Sequence, residues 1–144
     1  MAHYADTSFL ASYYLPDAGS ASALATVRQL TSPLIFTALH RLELRNSLAL
    51  AVFRTRITPQ QALAVWQDVT RDLRDGLLTP TTVNWYAVLR GAALLSIQHT
   101  AATGCRSLDV LHLALARRLG ASELFSFDGR QRSLAQSLNL TVRP

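Results

Sequence analysis

Short β-rich runs alternate with longer helical stretches along the whole chain, and no other feature restricts the fold as much. Residues 3–5 read as the tail of a strand that ends at Asp6. Leu34-Ile-Phe-Thr37, bounded by Pro33, reads as a second strand, Leu77-Leu-Thr79 as a weaker third, Glu123 to Phe127 as a fourth and Leu140 to Arg143 as a fifth. A short helix runs up to Leu15 before Pro16, and a second spans Ser20 to Leu30. Ala38 to Arg54 is apolar on most of its circumference and is expected to be buried. Thr58-Pro59 starts a helix, with proline in the first helical position, that ends near Asp75-Gly76. Further helices are expected from about Val83 to Thr100, from Leu108 to Leu119 with Ser107 as cap, and from Gly129 to Leu138. Such alternation builds an α/β fold on a largely parallel sheet, and sites in such sheets lie at the carboxyl ends of the strands.

At 144 residues the chain is expected to form one domain, residues 1–144, able to bury roughly two thirds of its unfolded surface without a stapling metal or disulfide. Its single cysteine, Cys105, excludes an intrachain disulfide and fits a reducing compartment. The longest apolar run, Leu48 to Phe53, is too short to span a membrane, and no basic residue precedes Arg28, so a signal peptide is not expected. A cytoplasmic location follows as the expectation.

All fourteen basic residues are arginine, and the formal net charge is +5. Without lysine the chain cannot use a P-loop lysine, a Schiff base or the lysine of a phospho-acceptor receiver. No Gly-x-Gly pair occurs, which argues against dinucleotide binding. A basic, arginine-only surface favours a polyanionic partner, because the planar guanidinium fork matches phosphate.

Against that background the nine acids stand out by position. Asp6 and Asp128 fall at predicted strand ends, Asp109 in the first turn of an apolar helix, and Glu43 inside the apolar helix after the second strand. Each has a plain structural reading. Asp6 can cap a helix, Asp128-Gly129 can be an ordinary turn or cap, Asp109 can complement a helix dipole, and Glu43 can be a solvated residue paired with Arg41 or Arg45. Taken together, four such placements point to one carboxylate cluster at one sheet edge. Clustered carboxylates raise one another's pKa unless a cation compensates them, and Mg²⁺ prefers such oxygen ligands alongside phosphate. Asp17, Asp68, Asp72, Asp75 and Glu123 are expected to be solvated.

Asp6-Thr-Ser8, Leu42-Glu-Leu44, Leu108-Asp-Val-Leu-His-Leu-Ala114 and Ser126-Phe-Asp128 occur in an order that resembles the PIN-domain ribonucleases, and among them the VapC-type toxins of toxin–antitoxin pairs. The resemblance covers essentially the whole chain. It implies a three-layer α/β/α sandwich with a short, mainly parallel central sheet. It also implies Mg²⁺- or Mn²⁺-dependent endoribonuclease activity on single-stranded RNA through metal-activated water, homodimerisation, and neutralisation by a small antitoxin in the active-site groove. Carried over by position, Asp6, Glu43, Asp109 and Asp128 are the catalytic and metal-binding acids, with Thr7, Ser8 and Ser126 orienting carboxylates or water. Gly129-Arg-Gln-Arg132 departs from relatives that carry a further acid or an aromatic residue there, which leaves a one-metal site open.

Two residues near these acids carry double readings. His112, three positions after Asp109, is either a substrate or proton-transfer group or a packed helix histidine. Arg106, three positions before Asp109, either binds phosphate or sits at the surface and offsets the acid. Trp66, Trp85 and Tyr86 stack bases or belong to core and interface. The rival to a nuclease is a PIN-like module that binds RNA or protein without cutting. An aspartyl phosphotransfer enzyme is disfavoured, since Asp6-Thr-Ser8 lacks the second aspartate of the usual phosphatase motif.

Overall fold

The computed structural model describes residues 2–144. Five strands, β1 (Ala2–Ala5), β2 (Leu34–Phe36), β3 (Leu78–Pro80), β4 (Ala121–Phe125) and β5 (Thr141–Arg143), form one sheet in the order β3-β2-β1-β4-β5. Every pairing is parallel, with Tyr4 opposite Leu124 and Ala5 opposite Phe125 at the centre. The chain winds outward from β1 through β2 to β3, then returns to the other side of β1 for β4 and β5. Strand order therefore reverses between β1 and β4, where a crevice opens beyond the carboxyl ends of the strands.

Alternation along the strands sends side chains to opposite faces. Tyr4, Ile35 and Leu124 pack with helices α5 (Trp85–Leu95), α7 (Ser107–Arg118) and α8 (Gly129–Ser137). Ala5, Leu34, Phe36 and Phe125 pack with α1 (Thr7–Tyr14), α2 (Ser20–Arg28), α3 (Ala38–Phe53) and α4 (Pro59–Asp75). Two helical layers thus cover the sheet, the α/β/α arrangement that the resemblance implies.

Several local expectations hold for identifiable reasons. Thr58 and Gln61 form a reciprocal capping box with Pro59 at the first helical position, so α4 begins where the sequence places it. Gly104 adopts φ +67 after α6 (Ala101–Thr103), a left-handed turn that re-aims the chain into α7.

Others are corrected. Helix α3 is not buried throughout: Leu39, His40, Leu44, Leu48 and Ala51 form its inner stripe, while Leu42 (67%) and Phe53 (83%) face outward. The helix expected to run to Thr100 ends its α-helical part at Leu95 and continues through a π turn, Ser96–Thr100, into α6. Ser107 is the first residue of α7, and Arg106 occupies the cap position. Strand β4 stops at Phe125, because residues 126–128 turn away to start α8. Glu123, expected to be solvated, lies on β4 within 2.8 Å of His3 Nδ1 and accepts from Arg143 Nε at 3.0 Å. Asp72 is half-buried and accepts from the Tyr14 hydroxyl at 2.7 Å. No helix among the described residues is long and apolar enough to cross a membrane.

Candidate functional site

Asp6 follows the central strand and caps α1, its Oδ1 accepting from the Phe9 backbone N–H at 2.7 Å. Ser8 donates to the same oxygen at 2.9 Å, and Ser126, beyond β4, donates to Oδ2 at 2.6 Å. Asp128 caps α8 through the Gln131 N–H at 2.9 Å. Asp109, in the first turn of α7, accepts from the backbone N–H of Arg106 at 3.1 Å and from its Nε at 3.2 Å. The capping readings of Asp6 and Asp128 and the first-turn reading of Asp109 are therefore all realised, and the same geometry turns three helix N-termini toward one crevice. The positive ends of those helices lessen the cost of gathering carboxylates there.

Glu43 arrives from the second turn of α3 and has no helix terminus to hold it. Its Oε1 instead accepts from Thr7 Oγ1 at 2.9 Å and lies 2.8 Å from His112 Nε2. Asp6, Glu43, Asp109 and Asp128 line one pocket of about 380 Å³ together with Thr7, Ser8, Arg106, His112 and Gln131. A larger cleft of about 640 Å³ lies between α1, α3 and α4 and includes none of the four acids.

Burial pushes the Asp6 carboxyl above its ordinary value, against the opposing effect of its hydrogen bonds from Ser126, Phe9 and Ser8 and of His112. Burial acts upward on Glu43 too, but the hydrogen bond and charge of His112, with Thr7, outweigh it and hold Glu43 below the usual range. His40 is buried and pushed down to about 3, mainly by burial and then by His112. It is neutral at physiological pH: Nδ1 accepts from the Thr37 N–H at 3.0 Å and Nε2 donates to the Ala5 carbonyl at 2.8 Å. That bridge ties the start of α3 to the residue before Asp6.

No three His, Cys, Asp or Glu side chains among the described residues converge as a ready-made metal cage. The donor set nevertheless suits a hard divalent cation, which takes few carboxylates directly and retains waters. Among the described residues, donors occupy one oxygen each of Glu43, Asp109 and Asp128 and leave the other without one. A carboxylate pinned by one oxygen presents its second in a fixed direction.

Of the residues with double readings, His112 is buried (3%), hydrogen-bonded, and still lines the pocket. Arg106 does offset Asp109, and its side chain is 76% exposed. Trp66 is a core residue with the Arg45 guanidinium 3.7 Å from its ring centre, Trp85 packs partly buried against the core, and Tyr86 is exposed. The sequence reading passed over Tyr4, His40 and Gln131. Tyr4 lies two residues before Asp6, and the chain stays extended through Asp6, a period-two spacing that points toward the site. His40 lies three residues after Thr37 and Gln131 three after Asp128, both capping-box spacings. Gln131 does not close the box, because Ser126 Oγ already accepts the Asp128 N–H at 3.1 Å. It is buried and donates to the Asp109 carbonyl at 3.2 Å.

Fold and pocket together define a class: a parallel α/β domain that presents carboxylates at the switch point of its sheet. The chain belongs to the PIN domain family, whose model matches residues 4–136. Its fold is similar to that of VapC20 from Mycobacterium tuberculosis, described as a sarcin–ricin loop cleaving toxin, with a TM-score of 0.66 at 18% identity over 99% of both chains. It is also similar to FitAcB from Neisseria gonorrhoeae, with a TM-score of 0.62 at 14% identity over 99% of this chain and 96% of the other. At these identities the likeness is one of fold. No curated protein matches the sequence.

Proposed function

We propose that residues 1–144 form one PIN nuclease domain, a divalent-metal-dependent endoribonuclease that cleaves single-stranded RNA and serves as the toxin of a toxin–antitoxin pair. The observation that carries this reading is the pocket shared by Asp6, Glu43, Asp109 and Asp128, with an oxygen of three of them left without a donor among the described residues. Membership of the PIN family supports nuclease chemistry, and the fold of a sarcin–ricin loop cleaving toxin supports RNA as substrate.

These four acids would hold Mg²⁺ or Mn²⁺. Such a cation, when bound, supplies the Lewis acidity that activates water and offsets charge building on the phosphate. Ser8 and Ser126 fix the Asp6 carboxylate, and Thr7 fixes that of Glu43. Arg106 stands at the rim, exposed enough to reach a substrate phosphate with its guanidinium fork. In the cell the domain would act in the cytoplasm as a homodimer. It would be silenced by a small antitoxin protein seated over the acids, where an arginine of the partner could take the place of the cation.

The deciding experiment is cleavage of single-stranded RNA by rigorously purified protein with Mg²⁺, Mn²⁺ or excess EDTA, beside Asp109→Asn. Cleavage that requires the cation and vanishes in Asp109→Asn is the expected result. RNA binding without cleavage under every condition would make the chain a binding module. Undiminished cleavage in EDTA would overturn the metal-dependent mechanism.

A further inference from the structure

Tyr4 and His112 form a buried polar pair directly behind the acids, at 0% and 3% exposure, with Tyr4 set in the apolar core under α5, α7 and α8. We propose that Tyr4 and His112 are positioning residues that hold Glu43 in the orientation offering Oε2 to a divalent cation, an inference that rests on the acidic-site reading above. The Tyr4 hydroxyl lies 2.7 Å from His112 Nδ1, and His112 Nε2 lies 2.8 Å from Glu43 Oε1. An ionised carboxylate only accepts, so Nε2 carries a proton and donates to Glu43, and in the neutral ring Nδ1 accepts from the phenol. Every donor in the chain then points the same way, from β1 through α7 to α3. Thr7 adds a second donor to the same Oε1 at 2.9 Å. With Oε1 saturated, Oε2 is the oxygen left for a ligand.

Glu43 needs such a device more than its partners do. Asp6, Asp109 and Asp128 are short side chains pinned by backbone N–H groups at helix starts. Glu43 has a longer side chain and no backbone donor. Burying a phenol and an imidazole costs desolvation that apolar side chains would avoid, and the hydrogen bonds they make lead to Glu43. Groups that hold a carboxylate ligand from behind typically change metal affinity or activity 10- to 100-fold when removed.

Mn²⁺ binding to the RNA-free protein, measured from the EPR signal of the free ion, tests this without reference to cleavage. Tyr4→Phe should weaken binding about 10-fold, and His112→Leu by more, up to about 100-fold. His112→Gln should recover much of the affinity, because its amide N–H can replace Nε2–H as donor to Glu43. Leu134→Ala, a buried core truncation on α8, should lower the melting temperature and leave Mn²⁺ affinity unchanged. Wild-type affinity in Tyr4→Phe and His112→Leu, with affinity lost in Glu43→Gln, would overturn the positioning role alone. An effect no larger than that of Leu134→Ala at equal destabilisation would overturn it as well. Wild-type affinity in Glu43→Gln would remove the acidic-site reading, and this inference with it.

Discussion

Replacing Ser126 with alanine removes one hydroxyl and should disturb two elements at once. The side chain is fully buried and stands between β4 and α8. Its O–H donates to Asp6 Oδ2 at 2.6 Å, and its oxygen accepts the Asp128 N–H at 3.1 Å. A hydrogen bond to a charged group contributes about 1.5–3 kcal/mol, and stranding a buried N–H costs about 1–3 kcal/mol. Asp128 is only half-buried, so the lower end applies to its N–H. A total near 3 kcal/mol follows, about 10 °C in melting temperature for a chain of this size. The Ser126 bond is also the largest effect opposing burial at Asp6, so its loss should push that carboxyl further up.

Urea denaturation read by tryptophan fluorescence gives the loss directly, since Trp66 is buried. The same substitution in an Asp6→Asn background isolates the charged bond. Once Asp6 is neutral the bond is worth about 1 kcal/mol, so Ser126→Ala should cost about 1 kcal/mol less there than in wild type. A loss below about 1 kcal/mol in wild type, or equal losses in both backgrounds, would show that this bond does not hold the Asp6 carboxylate.

Two further outcomes follow from buried titrating groups. Because burial raises the folded pKa of Asp6, the native state takes up that proton before the unfolded chain does; the ionised form therefore costs stability at neutral pH and not below the unfolded value of about 3.9. Metal-free Asp6→Asn should melt above wild type at pH 7 and lose that gain near pH 3.5; a gain independent of pH would assign it to packing. For His40, pushed down to about 3, the unfolded chain binds the proton first, so its share of stability is full above about 6.5 and drains at about 1.4 kcal/mol per pH unit toward 3. His40→Gln keeps an acceptor for Thr37 N–H and a donor for Ala5, and should flatten the acid limb of the stability curve; an unchanged slope would show that His40 does not carry it.

The parallel sheet was legible because its strands are short, β-rich and separated by helices with readable starts. Thr58-Pro59 and Gly104 are local signals that tertiary contacts do not override. Helix α3 misled for a physical reason. Leu42, Leu50 and Phe53 raise its apolar content without belonging to its inner stripe, and composition does not separate a buried helix from one that leaves an apolar face in solvent. The acids could be placed because residues at strand ends and helix starts are fixed by the topology. Their partners could not: Tyr4 meets His112 across 108 positions, and Ser126 meets Asp6 across 120. Contacts of that kind depend on strand order, and strand order is not written in periodicity.

The capping and clustering readings of the acids do not compete, because the topology makes them the same fact. In a parallel sheet every strand delivers its chain to one edge, and the helices that start there point their N-termini at it. Asp6 and Asp128 are first of all good caps, and Asp109 a good first-turn acid; being so placed, they share an edge. The helix starts supply partial positive charge but no full counter-charge, so the cluster is tolerable without a cation and still favourable toward one. Glu43 lies outside this scheme. It comes from a helix interior, and its compensation comes from the side chains of His112 and Thr7 instead of backbone N–H groups. Asp6 also draws on a distant side chain, that of Ser126, but among the described residues Glu43 is the one of the four acids held by side chains without a backbone N–H. Substitutions at Tyr4, Thr7 or His112 should retune the pocket while leaving the three caps, and the fold they start, in place.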